Sequence, residues 1–354
     1  MINIHDLVCP HVKNMKAYSS ARMEYSGKEG IFLDANENSL GSVSSEIHNR
    51  YPDPMQLELK AELVKHYPAY IEQLFLGNGS DECINVLIQC FCIPGQDSIL
   101  QFPPTFSMYE HASHVMNVKV DEILLHPQTF QLERAKVKAY VESHLHCKII
   151  FLCSPNNPTG NLLNSDDIKF ILENFKGIVV VDEAYQDFAG NVSWLHSLQD
   201  YPNLVVINTF SKAWGMADIR LGMLFANEEI IRYMNTIKMP YNISQHTINT
   251  AIEALHKTIK KHAFITALIE GRYYLEREFR AIPFIKYIFP SDTNFILIRV
   301  DDANALYSYL LDNKVIVRNR NQAPLLSGCL RISVGTMEEN ERLIEVLKNY
   351  GNDF

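Results

Sequence analysis

Short apolar, β-branched runs alternate with longer amphipathic stretches through the first two thirds of the chain, and this rhythm restricts the fold more than any other feature. The runs at 73–76, 98–102, 119–123, 148–152, 177–181 and 204–207 have the length and composition of strands. Between them, stretches such as 80–91, 104–114 and Ser165–Asn174 carry helical periodicity. Strand, helix, strand at this spacing predicts a mostly parallel sheet with helices on both faces. Beyond about residue 246 the texture changes. Residues 249–279 read as helix, with Lys257, Lys260 and Lys261 on a solvated face, and 293–300, 315–318 and 330–334 read as strands of a smaller sheet closed by a helix at 338–349. The expected organisation is an N-terminal arm (1–30), a large α/β domain (31–245) and a small α+β domain (246–354).

Composition narrows the function classes. A net charge of −9 over 354 residues argues against a nucleic-acid groove or an anionic membrane surface as partner. The first twenty residues lack the positive-then-apolar layout of a secretory leader, and no apolar stretch is long enough to span a bilayer. Seven cysteines form no C-x-x-C pair and fall mostly in apolar runs, which predicts reduced, buried thiols in a cytoplasm. Cys90 and Cys92 form a C-x-C, but without a second ligand pair they predict no metal site.

Polar residues recur where the apolar runs end. In LFLGNGSDECINVL, Gly77, Gly79 and Ser80 separate a strand from a helix, with Asp81 and Glu82 in its first turn. Such a turn can aim backbone N–H groups at a phosphate, though alone it fits a tight turn capped by Ser80 equally well. SPNNPTGN follows the run 149–152 and offers the amides of Asn156 and Asn157. Asn156 reads better as a cap within the loop. IVVVDEAY drives a buried strand into Asp182, with Tyr185 three residues on. A carboxylate there is costly unless it is paired or caps a helix. TFSKAWGMADIRLG places Thr209, Ser211 and Lys212 just past the run 204–207, and Arg220 eight residues after the lysine. A partly desolvated lysine can lose its proton and attack an aldehyde, a nearby carboxylate can pair with a protonated ring nitrogen, and a glycine turn can hold a phosphate. Those are the requirements of pyridoxal 5′-phosphate.

The order GNGSDE, PPTFSMY, SPNNPTG, VVVDEAY, TFSKAWGMADIRLG, LRISVG resembles the fold-type I, class II aminotransferases. YSSAR at 18–22, LDANEN at 33–38, NRYPDP at 49–54 and SGCLRISVGTMEEN at 327–340 make the chain similar to the histidinol-phosphate aminotransferases across nearly its whole length. The resemblance implies that Lys212 holds the cofactor covalently and moves the proton, that Asp182 keeps the pyridine nitrogen protonated, and that Tyr185 and Asn157 bond its phenolic oxygen. It implies that Phe106 stacks on the ring, and that Gly79, Ser80, Asp81, Thr209, Ser211 and Arg220 bind the phosphate. Tyr51 is expected to reach the cofactor of a second subunit, making a homodimer with shared sites. Tyr18, Asn36, Arg318 and Arg331 are expected to bind substrate. The implied reaction is transamination between L-histidinol phosphate and 2-oxoglutarate, in histidine biosynthesis. Ser39 departs from the family's usual proline after the second Asn of DANEN, which loosens that turn and removes no chemistry. An aromatic amino-acid aminotransferase or a phosphothreonine-type decarboxylase would keep every cofactor residue named. A ligand-sensing regulator on this fold would need a DNA-binding module, and no basic helix-turn-helix pattern precedes the core.

Overall fold

The computed structural model describes residues 2–18 and 29–352. Ser19–Arg22 of the YSSAR segment, and most of the second half of the predicted arm, lie outside the described residues. The strands of the larger sheet are β1 (Leu74–Asn78), β2 (Ser98–Gln101), β3 (Lys119–Glu122), β4 (Cys147–Cys153), β5 (Ile178–Asp182), β6 (Leu204–Thr209) and β7 (Leu221–Ala226), in the order β1-β7-β6-β5-β4-β2-β3. β2 pairs in parallel with β3 and β4, and β4 with β5, whereas β7 is antiparallel to both β1 and β6. β5 is buried at every position. Val179, Val180 and Val181 suit a strand covered on both faces, where stiff branched side chains lose little further freedom.

Two compact units make up the chain: Met1–Ile93 with Trp194–Thr258, and Pro94–Ser193 with Ile259–Phe354. The first contains β1, β6, β7 and the helices Gly79–Phe91, Glu228–Ile237 and Gln245–Leu255. The second contains β2 to β5 and a four-stranded antiparallel sheet built from β8 (Ile285–Ile288), β9 (Phe295–Val300), β10 (Arg318–Asn319) and β11 (Cys329–Ser333), ordered β10-β11-β9-β8. Ile296, Ile298, Leu330 and Ile332 on one face of that sheet pack with Leu275, Phe279, Leu306, Leu310, Leu343 and Leu347 from three helices. This is the core that the periodicity of the C-terminal third predicts.

Several elements differ from expectation. β7 and β8 have no counterpart in the sequence reading. The predicted helix 104–114 is shorter, Met108–Val115, because the Pro104 carbonyl and the Thr105 hydroxyl are bonded to the Asn156 side chain and hold that stretch as a loop. Residues 249–279 divide into Gln245–Leu255 and Thr258–Phe279. Lys261 is not on a solvated face: its side chain is 10% exposed and its Nζ lies 2.6 Å from Asp187 Oδ1. The strand expected at 315–318 is only Arg318–Asn319.

Candidate active site

Within the first unit, strand register gathers one set of predicted residues. β7 aligns Leu221 with Asn78 and Gly222 with Thr209, so the turn after β1 and the loop after β6 leave from the same edge. Gly79 takes φ +76, and its N–H donates to the Arg220 carbonyl at 2.6 Å. A Cβ on Gly222 would stand 2.3 Å from Gly79 C and Ser80 N, so the β7 backbone lies directly against the turn and only hydrogen fits there. No side chain caps the helix Gly79–Phe91, so beyond the Gly79 N–H, which the Arg220 carbonyl takes, its first turn presents N–H groups and the positive end of the helix dipole to an anion. Arg220, at φ +53, places Nη2 3.2 Å from Asp81 Oδ2. The Thr209 hydroxyl donates to Ser211 Oγ and accepts from the Ser211 N–H, both at 3.1 Å. Lys212 follows, half-buried. Trp214 stacks on Phe210 at 4.9 Å between ring centroids and donates through Nε1 to the Tyr67 hydroxyl, which anchors the loop behind the lysine.

The second unit holds the other set. β4 and β5 align Cys153 with Asp182, so the loop 154–161 and the aspartate emerge side by side. Asp182 is 2% exposed. Its Oδ2 accepts from the Tyr109 hydroxyl at 2.6 Å and its Oδ1 from the Ala184 N–H at 3.1 Å. Burial first, then the Asp182 charge, pushes Tyr109 well above the ordinary phenol range, so it remains a donor. Tyr109 stacks on Phe151 and meets Phe106, itself half-buried, edge-on at 5.6 Å. Tyr185 is buried, with its phenol pushed up chiefly by desolvation and drawn back by Arg331. Asn157 accepts from Arg331 Nη1 at 2.5 Å, and the Arg331 guanidinium lies 5.2 Å from the Phe295 ring centroid. Asn156 is spent within its loop, donating to the Pro104 carbonyl and to Thr159 Oγ1.

The remaining predicted residues are exposed. Tyr51 is half exposed and stacks on Tyr241 at 4.4 Å, while Glu37 accepts from Arg50 and the Tyr51 N–H at 2.7 Å and ties LDANEN to YPDP. Tyr18 and Asn36 are exposed, the latter at φ +54. Arg318, exposed, is the cross-strand partner of Arg331. Sequence reasoning missed Tyr109, which stands in the first turn of the helix Met108–Val115, three residues after Phe106 in PPTFSMY. All seven cysteines are buried and none forms a disulfide. Among the described residues no group of His, Cys, Asp and Glu could hold a metal ion, and no helix is long and apolar enough to cross a membrane.

The profile of aminotransferase class I and II matches residues 25–347. The chain belongs to that family. The aminotransferase is 47% identical over 348 residues to the histidinol-phosphate aminotransferase of Cytophaga hutchinsonii, covering 98% of this chain and 99% of its relative. Among solved structures it superposes on the histidinol-phosphate aminotransferase of Clostridium acetobutylicum with a TM-score of 0.79 at 24% identity, covering 87% of this chain and 92% of that one. The enzyme of the same name from Sinorhizobium meliloti, solved in complex with pyridoxal-5′-phosphate, gives 0.79 at 21% identity, covering 89% and 90%. These two structures establish the shared fold. The resemblance read from the motifs is borne out.

The glycine contact is open to a direct test. Gly222→Ala forces a methyl into the Gly79–Ser80 backbone and is expected to cost about 1–3 kcal/mol. Gly190→Ala, with nothing within 4 Å of its Cβ, should stay within about 0.5 kcal/mol of the parent. Thermal or urea unfolding of the two variants checks the difference, and equal stability would contradict the packing described.

Proposed function

We propose that this protein is a pyridoxal 5′-phosphate-dependent histidinol-phosphate aminotransferase. It would convert L-histidinol phosphate and 2-oxoglutarate to 3-(imidazol-4-yl)-2-oxopropyl phosphate and L-glutamate. The observation that carries the substrate assignment is the cross-strand pair Arg318–Arg331, two guanidiniums on a small sheet with no carboxylate partner among the described residues. Near-full-length identity to enzymes of that name supports it.

The residues present fit the cofactor. The Gly79–Ser80 turn, the uncapped helix end, Ser211, Thr209 and Arg220 form a phosphate cradle in which packing against backbone leaves no room for a side chain at Gly222 and Gly79 takes φ +76. Asp182, deeply buried and held by the Tyr109 hydroxyl and the Ala184 N–H, is the carboxylate that this reading assigns to the ring nitrogen. When bound, the cofactor supplies an electron sink for the carbanion formed at the amino-bearing carbon. Lys212 is the covalent anchor and the base that carries the proton between substrate and cofactor. Asp182 holds the positive charge of the ring nitrogen, with Tyr109 fixing the carboxylate's orientation. Tyr185 and Asn157 donate to the phenolic oxygen, and Phe106 covers the ring. Arg331, oriented by Asn157, presents its fork to phosphate in one half-reaction and to carboxylate in the other. Arg318, Tyr18 and Asn36 complete the substrate end.

The same reading includes a homodimer in which Tyr51 serves the second subunit's site. Its support is the exposed apolar segment ahead of and around YPDP: Ile31, Leu33, Leu40, Val43 and Ile47 are all at least 80% exposed, a patch that a partner surface would cover. Seven buried cysteines without a disulfide support a cytoplasmic location. Domain limits of 31–245 and 246–354 belong to this proposal.

Three experiments test it. Histidinol without its phosphate, or phenylalanine, should be about 10² to 10⁴ poorer than histidinol phosphate in kcat/KM, since two charge-assisted contacts are lost. Arg331→Ala should impair both half-reactions, and Arg331→Lys should recover only part. Equal efficiency with phenylalanine would transfer the assignment to the aromatic aminotransferases, and carbon dioxide release from threonine phosphate to the decarboxylases. For assembly, Leu40→Asp with Val43→Asp should shift the sedimenting species from dimer toward monomer. An unchanged dimer would remove this segment from the interface.

A further inference from the structure

The sheet that carries Arg318 and Arg331 presents a third guanidinium in the same place. The ladder between β10 and β11 pairs Arg318 with Arg331 and Asn319 with Leu330, and it continues through the Arg320 N–H, which donates to the Cys329 carbonyl at 3.0 Å. Side chains alternate faces along a strand, so Arg318 and Arg320 project from one face, together with Arg331 opposite Arg318. Leu330 and Ile332 occupy the other face and pack into the helical core. The three arginines therefore share the face that also carries Phe295 and Leu297.

Arg320 is half-buried, and its Nε is shielded from solvent with no hydrogen-bond partner; the same is true of Arg331 Nε. Burial, followed by Arg331 and then Arg318, lowers Arg320 to about 10, with the Tyr185 hydroxyl opposing. The charged groups that act on it are thus two cations and a buried phenol. Arg299, further along this face, also has an unpartnered Nε, but its Nη2 donates to the Leu325 carbonyl at 3.3 Å and its guanidinium lies 5.2 Å from the Phe289 ring centroid. Gathering three guanidiniums beside Tyr185 without a carboxylate is expensive, and an anion is the missing partner.

We infer that Arg320 is a third substrate-binding arginine, and that it sets the preference for a phosphate dianion over a carboxylate in the anion pocket formed with Arg331 and Arg318. Arg331 and Arg318 suffice for a single negative charge. A monoester dianion carries nearly two charges and three acceptor oxygens, and the third guanidinium matches the surplus. The inference rests on the aminotransferase reading and deepens it by naming the residue that separates the two half-reactions, which use donors of different charge.

The test uses the cofactor-loaded enzyme and Arg320→Gln, which removes the charge and keeps an amide donor. Isothermal titration with inorganic phosphate should show a dissociation constant raised about 10- to 10²-fold, the loss of one charge-assisted contact. KM for histidinol phosphate should rise by a similar factor with kcat within about threefold, while the 2-oxoglutarate half-reaction changes less than about threefold. Arg320→Lys should fall between parent and Gln, and it also serves if the Gln variant fails to fold. Unchanged phosphate binding, or equal loss in both half-reactions, would overturn the assignment. If the parent enzyme binds phosphate in an Arg320-dependent way yet does not turn over histidinol phosphate, the substrate reading fails while the dianion site stands.

Discussion

Because β7 runs antiparallel between β1 and β6, the ends of both neighbours meet the start of β7, and everything at that edge is placed by its register. Asn78 opposite Leu221 and Thr209 opposite Gly222 bring the Gly79 turn beside the loop that bears Lys212. The approach is so close that Gly222 has no room for a methyl, and the Arg220 carbonyl takes the Gly79 N–H directly. A parallel strand in the position of β7 would put its other end at this edge and would separate Arg220 from the turn. The arrangement at this edge is thus a consequence of strand direction first and of side-chain identity second.

In the second unit the controlling quantity is the cost of burying charge. Asp182 ends a strand whose every residue is buried, and its carboxylate is retained because Tyr109 and the Ala184 N–H meet it. Tyr109 is itself fixed by stacking on Phe151, so the orientation of the carboxylate is inherited from aromatic packing one layer deeper. Arg331 shows the converse case. Asn157 and the Phe295 ring engage part of its guanidinium, and its remaining donors have no carboxylate among the described residues. Groups left in that condition mark where ligand chemistry completes the structure.

Much of this was legible in the sequence because the strand ends carry their own signals. The run IVVVD could hardly be anything but a covered strand ending in a carboxylate, and the Gly-Asn-Gly-Ser turn announces a strand-to-helix junction. β7 escaped because LGMLFA follows directly on a long motif whose loop residues dominate the reading, and nothing in the sequence states that it runs antiparallel. Lys261 was read as solvated because helical periodicity places it with Lys257 and Lys260. Its partner Asp187 lies 74 residues away, beyond any local pattern. Tyr109 and Arg320 were missed for a related reason. Tyr109 meets Asp182 from 73 residues away, and Arg320 joins Arg331 only through the β10–β11 ladder.

Lys212 as the covalent anchor of pyridoxal phosphate is tested most directly by covalent mapping. Enzyme loaded with pyridoxal phosphate, reduced with borohydride and digested, should yield a single modified peptide carrying the cofactor mass on Lys212. Modification at another lysine, with Lys212 recovered unmodified, would contradict the account.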